Sequence, residues 1–234
     1  MHERMRKVLK QVLELYELLD RAKVDGHDVE RLLRSRGAHD IEVIELRGDT
    51  GKSDFIRIII GGKEGRKSGG TAPTIGVTGR LKGNRETCRL GGLGARPALT
   101  GFVSDGDGAL AALAVALKLC DMQVGGDSLL GDVIITTHIC PDAPTVDHYP
   151  VRMMSSHVDM EIINKLEVEH ELDAVLSVDT TKGNKIVNHK GFAISCTVKE
   201  GYILRVSDDL LEIMTRVTGR LPVVFALSQQ DITP

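Results

Sequence analysis

Several short segments of this 234-residue chain are apolar at nearly every position instead of at alternate ones, and they are spaced by segments of helical period. Phe55–Ile60, Leu99–Ser104, Val133–Thr137, Ala174–Val178 and Pro222–Ala226 all read this way. A strand with one face in water alternates apolar and polar residues, whereas a strand apolar on both sides must be covered on both faces. Strands of that kind alternating with helices predict an α/β protein built on a mostly parallel or mixed sheet flanked by helices.

The helices follow from spacing. Met5, Val8, Leu9, Val12, Leu15, Tyr16 and Leu19 recur every three or four residues and predict an opening helix. A second helix over Asp28–Arg36, stopped by Gly37, completes an N-terminal helical segment over 3–36. A strand follows over Ile41–Leu46. Ala109–Leu119 predicts a markedly apolar helix with Asp107 as its N-cap. Val158–Val168 and Asp208–Val217 predict two more helices. Of 25 glycines, 14 lie between Gly61 and Gly108, so that stretch is turn-rich or approaches something closely. Gly61–Gly70 reads as a mobile hairpin or loop, and 79–97 as an irregular Gly/Arg-rich loop. With no internal repeat and no clean linker, a single α/β domain over 1–234 is expected.

Composition removes several classes of function. A net charge of −3 offers no electrostatic footprint for nucleic acid or an anionic membrane. Aromatic residues make up 3% with no Trp, which leaves no platform for stacking bases. No apolar run reaches the length of a membrane span, and Met1–Lys10 has no apolar core of a secretory signal. Cys88, Cys120, Cys140 and Cys196 lie far apart without a CxxC pair, which points to a reducing cytoplasm and away from a disulfide framework.

Ligands of open α/β sheets gather beyond the carboxyl ends of the strands. Polar groups recur at such ends here: Asp105 and Asp107 after Leu99–Ser104, His138 after Val133–Thr137, Asp179 after Ala174–Val178, and Asp231 after Pro222–Ala226. Carboxylates and an imidazole are ligand types for a divalent metal, zinc or manganese, so Asp105, Asp107, His138 and Asp179 are the candidate metal ligands, with His138 the candidate catalytic base. Each also has a structural reading, as a helix cap, a turn or a core histidine. Arg80 and Arg96 are candidates to hold a substrate carboxylate through a bidentate contact. Cys140 beside His138 is a weaker candidate nucleophile.

Two resemblances join this reading. Pro73-Thr-Ile-Gly-Val-Thr-Gly-Arg-Leu81, Gly91-Gly-Leu-Gly-Ala-Arg-Pro97, Val103-Ser-Asp-Gly-Asp-Gly108, Gly131-Asp-Val-Ile-Ile-Thr-Thr-His-Ile-Cys-Pro141 and Ser177-Val-Asp-Thr-Thr-Lys-Gly-Asn184 resemble the uncharacterised bacterial family of domain of unknown function 1177. That resemblance implies a chain continuing past Pro234 and carries no established activity. More distantly, the order of elements is similar to the co-catalytic zinc aminopeptidases of the glutamyl and tetrahedral type. It implies a zinc-aminopeptidase-like (phosphorylase/hydrolase-like) architecture and a metal-dependent hydrolase acting on a small peptide or amide. It also implies homo-oligomeric assembly. Asp105 or Asp107 stands where those enzymes have a bridging carboxylate, and Asp179 where they have a later Asp ligand. Their first ligand histidine and their base glutamate have no counterpart, which implies, as the alternative, a catalytically inactive member acting as a small-ligand-binding or structural protein.

Overall fold

A computed structural model describes residues 2–21, 24–79, 102, 106–140, 145–147, 153–154, 156–167, 172–179 and 189–225. Arg80, Arg96, Asp105, Asp231 and most of the predicted 79–97 loop and 99–104 strand lie outside them. The chain forms two compact units, Met1–Thr180 and Thr181–Pro234.

The first unit opens with α1 (His2–Leu19) and α2 (Gly26–Ser35). Asp25 and Asp28 form a reciprocal capping box at the start of α2: Asp28 N–H donates to Asp25 Oδ1 at 2.8 Å, and Asp25 N–H to Asp28 Oδ2 at 3.2 Å. Gly37 follows the helix with φ +89°, a conformation that suits glycine and ends the helix where the sequence predicts. The strands β1 (Asp40–Gly48) and β2 (Gly51–Ile60) form an antiparallel hairpin with its turn at 49–50. Next come β3 (Ile75–Thr78), α3 (Asp107–Val124) and β4 (Val133–Ile139), then the two-residue pair β5 (Thr145–Val146) and β6 (Met153–Met154), then α4 (Met160–Glu167) and β7 (Ala174–Ser177).

Five strands make one mixed sheet in the order β1-β2-β4-β3-β7. The first three are antiparallel; β3 is parallel to both β4 and β7. Register sorts the side chains. Ile41, Ile56, Ile58, Ile60, Val77, Val133, Ile135 and Ile139 point to one face, where they pack with α1, α2 and α3 into the main core. α3 supplies Ala109, Ala112, Leu113, Ala116 and Leu117, all fully buried, and its small residues let the helix lie close on the sheet. The other face carries Phe55, which packs with Val158 and Ile163 of the α4 segment. The sheet is thus covered on both faces, as its apolar strands require. β7 departs from expectation: the sequence reads it as buried, yet Ala174, Val175 and Leu176 are exposed, because it pairs on one side only among the described residues.

Charged groups tie the helices together. Asp121 on α3 accepts from Gln11 Nε2 at 2.6 Å and from Arg36 Nη1 at 2.9 Å, and Arg36 also pairs with Glu14. Asp121 is the largest cause holding the Arg36 guanidinium above its ordinary pKa range. The predicted Gly61–Gly70 loop is held by backbone bonds from Lys63 and Glu64 to the carbonyls of Leu129 and Leu130 and by one buried carboxylate. Asp132, 3% exposed, accepts from Gly62 N–H at 2.8 Å and Lys67 N–H at 3.0 Å around the 3₁₀ turn Arg66–Ser68.

In the second unit, β8 (Ile194–Ser195) pairs in parallel with β11 (Val224–Phe225). β9 (Thr197–Lys199) and β10 (Tyr202–Leu204) form a hairpin whose turn residues Glu200 and Gly201 both have positive φ, +49° and +86°. That is the two-residue turn whose twist suits a hairpin. α5 (Asp208–Thr218) ends at Gly219 in the left-handed conformation.

Candidate functional site

The carboxyl ends of β4, β3 and β7 lie side by side. Thr78 sits opposite Thr136 on one side and Ser177 on the other. The ladder runs one residue further: Gly79 N–H donates to Thr136 O at 3.1 Å, and Val178 N–H to Thr78 O at 2.9 Å. The first turn of α3 is pressed against this end. A Cβ on Gly79 would lie 2.8 Å from Ala109 Cα, and a Cβ on Gly108 would collide with the carbonyl oxygens of Val178 and Gly79. Glycine at both positions therefore permits backbone to meet backbone. Asp107 precedes Gly108 and Asp179 follows Val178, so this contact brings the backbone of the two residues to the same carboxyl end of the sheet, both in exposed positions.

Asp107 is not the N-cap that the sequence suggests. Gly106 holds that place without a side-chain cap, and Asp107 is the first helical residue. Its carboxylate still sits at the positive end of the α3 dipole, where negative charge is favoured.

His138 is placed differently from its prediction. β4 extends to Ile139, so the histidine lies inside the strand, opposite Phe55, instead of beyond its end. It is 1% exposed, and its Nε2 has no hydrogen-bond partner among the described residues. Sharing the face of Phe55, it projects to the side away from α3. His138 and Asp179 each stand two residues past a partner of Thr78, so they occupy one level of the sheet, two strand spacings or about 10 Å apart. Cys140 is fully buried, and its Sγ lies 3.9 Å from Lys52 O; it makes no hydrogen bond with His138 Nε2.

The face that carries His138 holds a feature absent from the sequence reading. Glu42, Arg57, Thr136, Thr78 and Ser177 pair in register across all five strands, forming a polar row. Arg57 pairs with Glu42 at 3.3 Å. Thr78 Oγ1 and Ser177 Oγ are buried and have no hydrogen-bond partner among the described residues. The available sequence signal was a hydroxyl residue ending an apolar strand in both Ile75–Thr78 and Ala174–Ser177.

Of the predicted metal ligands and substrate arginines, Asp107, His138 and Asp179 are described, and Asp105, Arg80 and Arg96 are not. Among the described residues no three His, Cys, Asp or Glu side chains converge as a metal-binding group, and no helix is long and apolar enough to cross a membrane. The family model described as "Protein of unknown function (DUF1177)" matches residues 44–234, a span that contains every element of the site. No curated protein matches the chain.

Proposed function

Since the chain belongs to this family of proteins of unknown function, its site must carry the functional reading, and we propose that it is a metal-dependent hydrolase of the aminopeptidase type acting on a small peptide or amide. The observation that supports this is the backbone contact of Gly108 with Val178 and Gly79, the neighbours of Asp107 and Asp179, at the carboxyl end of parallel strands. The donor set fits a divalent ion in kind: two exposed carboxylates, with Asp105 next in sequence, and an imidazole whose Nε2 is not engaged by protein. In this reading Asp107 or Asp105, Asp179 and His138 hold zinc or manganese. When bound, such an ion polarises the amide carbonyl and lowers the pKa of water.

The chain's own residues do the rest. His138 Nε2, away from bulk water, accepts and returns the proton of the attacking water if it is left out of the ligand set. Arg80 and Arg96 hold a substrate carboxylate. A zinc-aminopeptidase-like architecture belongs to the same reading and rests on the order of elements along the sequence. A reducing, cytoplasmic setting belongs to it too, and the wide spacing of the four cysteines without a CxxC pair supports it. Homo-oligomeric assembly belongs to the same reading.

One observation favours a second reading, a catalytically inactive member that binds a small ligand: Asp107 rides on α3, whereas His138 projects from the opposite face of the sheet. Elemental analysis of the purified chain decides between them. About one or two zinc, manganese or cobalt ions per chain, with binding and amide hydrolysis both lost in Asp179→Ala, is the expected result. A metal-free chain that added metal does not change overturns the hydrolase reading.

A further inference from the structure

We infer that the Thr78 and Ser177 hydroxyls form a binding site for a small oxyanion, a carboxylate or a phosphate, on the sheet face opposite α3. Buried polar side-chain atoms are nearly always hydrogen-bonded, so each exception calls for a reason. Here two exceptions are immediate neighbours. Thr78 and Ser177 face each other across parallel strands, about 4.8 Å apart, and both oxygens are buried without a partner among the described residues. Thr78 is only 4% exposed. A third unengaged atom, His138 Nε2, lies on the same face one level further along β4, on the other side of Thr78.

Two hydroxyls and an imidazole nitrogen each have a proton to donate in the appropriate rotamer or tautomer. An oxyanion is the group that accepts several such donors at once and gains most from them away from water. Arg57 lies in the same row, one strand beyond Thr136, and contributes positive charge to that face alongside its pairing with Glu42. The hydroxyl pair needs no metal, so it is tested separately from the hydrolase reading, with which it shares only His138 Nε2.

The test uses the full chain in the presence of a chelator, titrated with sodium acetate and, separately, sodium phosphate. Ionic strength is held constant with chloride. Melting temperature and calorimetric titration report binding. Saturable stabilisation by acetate identifies a carboxylate site and saturable stabilisation by phosphate a phosphate site; either supports the inference. Thr78→Val, which keeps the shape and removes the hydroxyl, is expected to weaken that anion at least tenfold, and Ser177→Ala to do the same. Without anion, Thr78→Val is expected to melt no lower than the parent, since no internal bond is broken. The inference is overturned if neither anion exceeds chloride, if Thr78→Val binds as the parent does, or if Thr78→Val alone melts several degrees lower. Because metal is chelated throughout, failure here leaves the hydrolase reading untouched, and the elemental analysis judges that reading separately.

Discussion

Replacing Gly108 with Ala tests the contact on which the site is built. In the first turn of a helix that bears no other constraint, Gly→Ala gains roughly 0.5–1 kcal/mol by restricting the unfolded chain. Here the added methyl group runs into the carbonyl oxygens of Val178 and Gly79. Neither can rotate away, because each belongs to backbone at the ends of paired strands. Forcing a methyl into filled space costs about 1–3 kcal/mol, and contact with rigid backbone falls at the upper end. The net expectation is a loss of about 1–2 kcal/mol, or a melting temperature lower by about 2–8 °C for a chain of this size. Urea unfolding followed by circular dichroism measures it, with Gly61→Ala as the control, since nothing lies closer than 3.9 Å to a Cβ there. An unchanged slope with a lower midpoint is expected for Gly108→Ala. A variant as stable as the parent, or more so, would refute the close approach of α3 to β3 and β7 and the site reading built on it.

Two further predictions concern groups away from the site. Asp132→Ala removes the acceptor of two backbone N–H groups and is expected to destabilise by about 2–4 kcal/mol, with hydrogen exchange at Gly62 and Lys67 accelerating far more than at Ile58; equal acceleration at all three would show that Asp132 does not clasp the loop. Burial, with Asp121 nearby, pushes the Cys120 thiol up from 9.0 to about 11. A raised pKa for an acid means that the unfolded chain gives up its proton first. Stability then falls as pH rises from 9 towards 11, by up to about 2–3 kcal/mol, and Cys120→Ala removes that slope. At pH 8 native Cys120 stays unmodified by thiol reagents until the chain unfolds, and rapid labelling of the folded chain would contradict the burial.

The sequence showed those parts of the fold that depend on near neighbours. Gly37 marks the end of α2 because a positive φ is a local demand, and the spacing of Leu15 and Leu19 marks the buried face of α1 because helical period is local too. What it concealed was decided by partners far along the chain. Lys52, Ser53 and Asp54 look like loop, yet they pair with β1 and extend β2 back to Gly51. Gly61–Gly70 reads as mobile because its fastener, Asp132, lies some seventy residues on. His138 reads as a strand-end residue because Thr136 and Thr137 interrupt the apolar run; pairing with β2 carries the strand past them. Asp107 and Asp179 are legible as polar groups after strands, but nothing in their spacing shows that Gly108 packs its backbone against Gly79 and Val178 between them. Thr78 and Ser177 look like ordinary strand residues until the register puts them opposite each other.

β2 and β3 are close in sequence, but β4 separates them in the sheet and is made only after α3. The hairpin of β1 and β2 therefore leaves the ribosome with its inner strand open on one side, and β3 emerges with no neighbour at all. Residue 139 completes β4, 79 residues after Ile60 completes β2. At synthesis rates of about 5–20 residues per second, that is a wait of about 4–16 s. Throughout it Ile56 and Ile58 have no β4 to lie against. Slower translation through α3 lengthens that wait, and an unpaired strand edge is a template for pairing with another copy until β4 closes it.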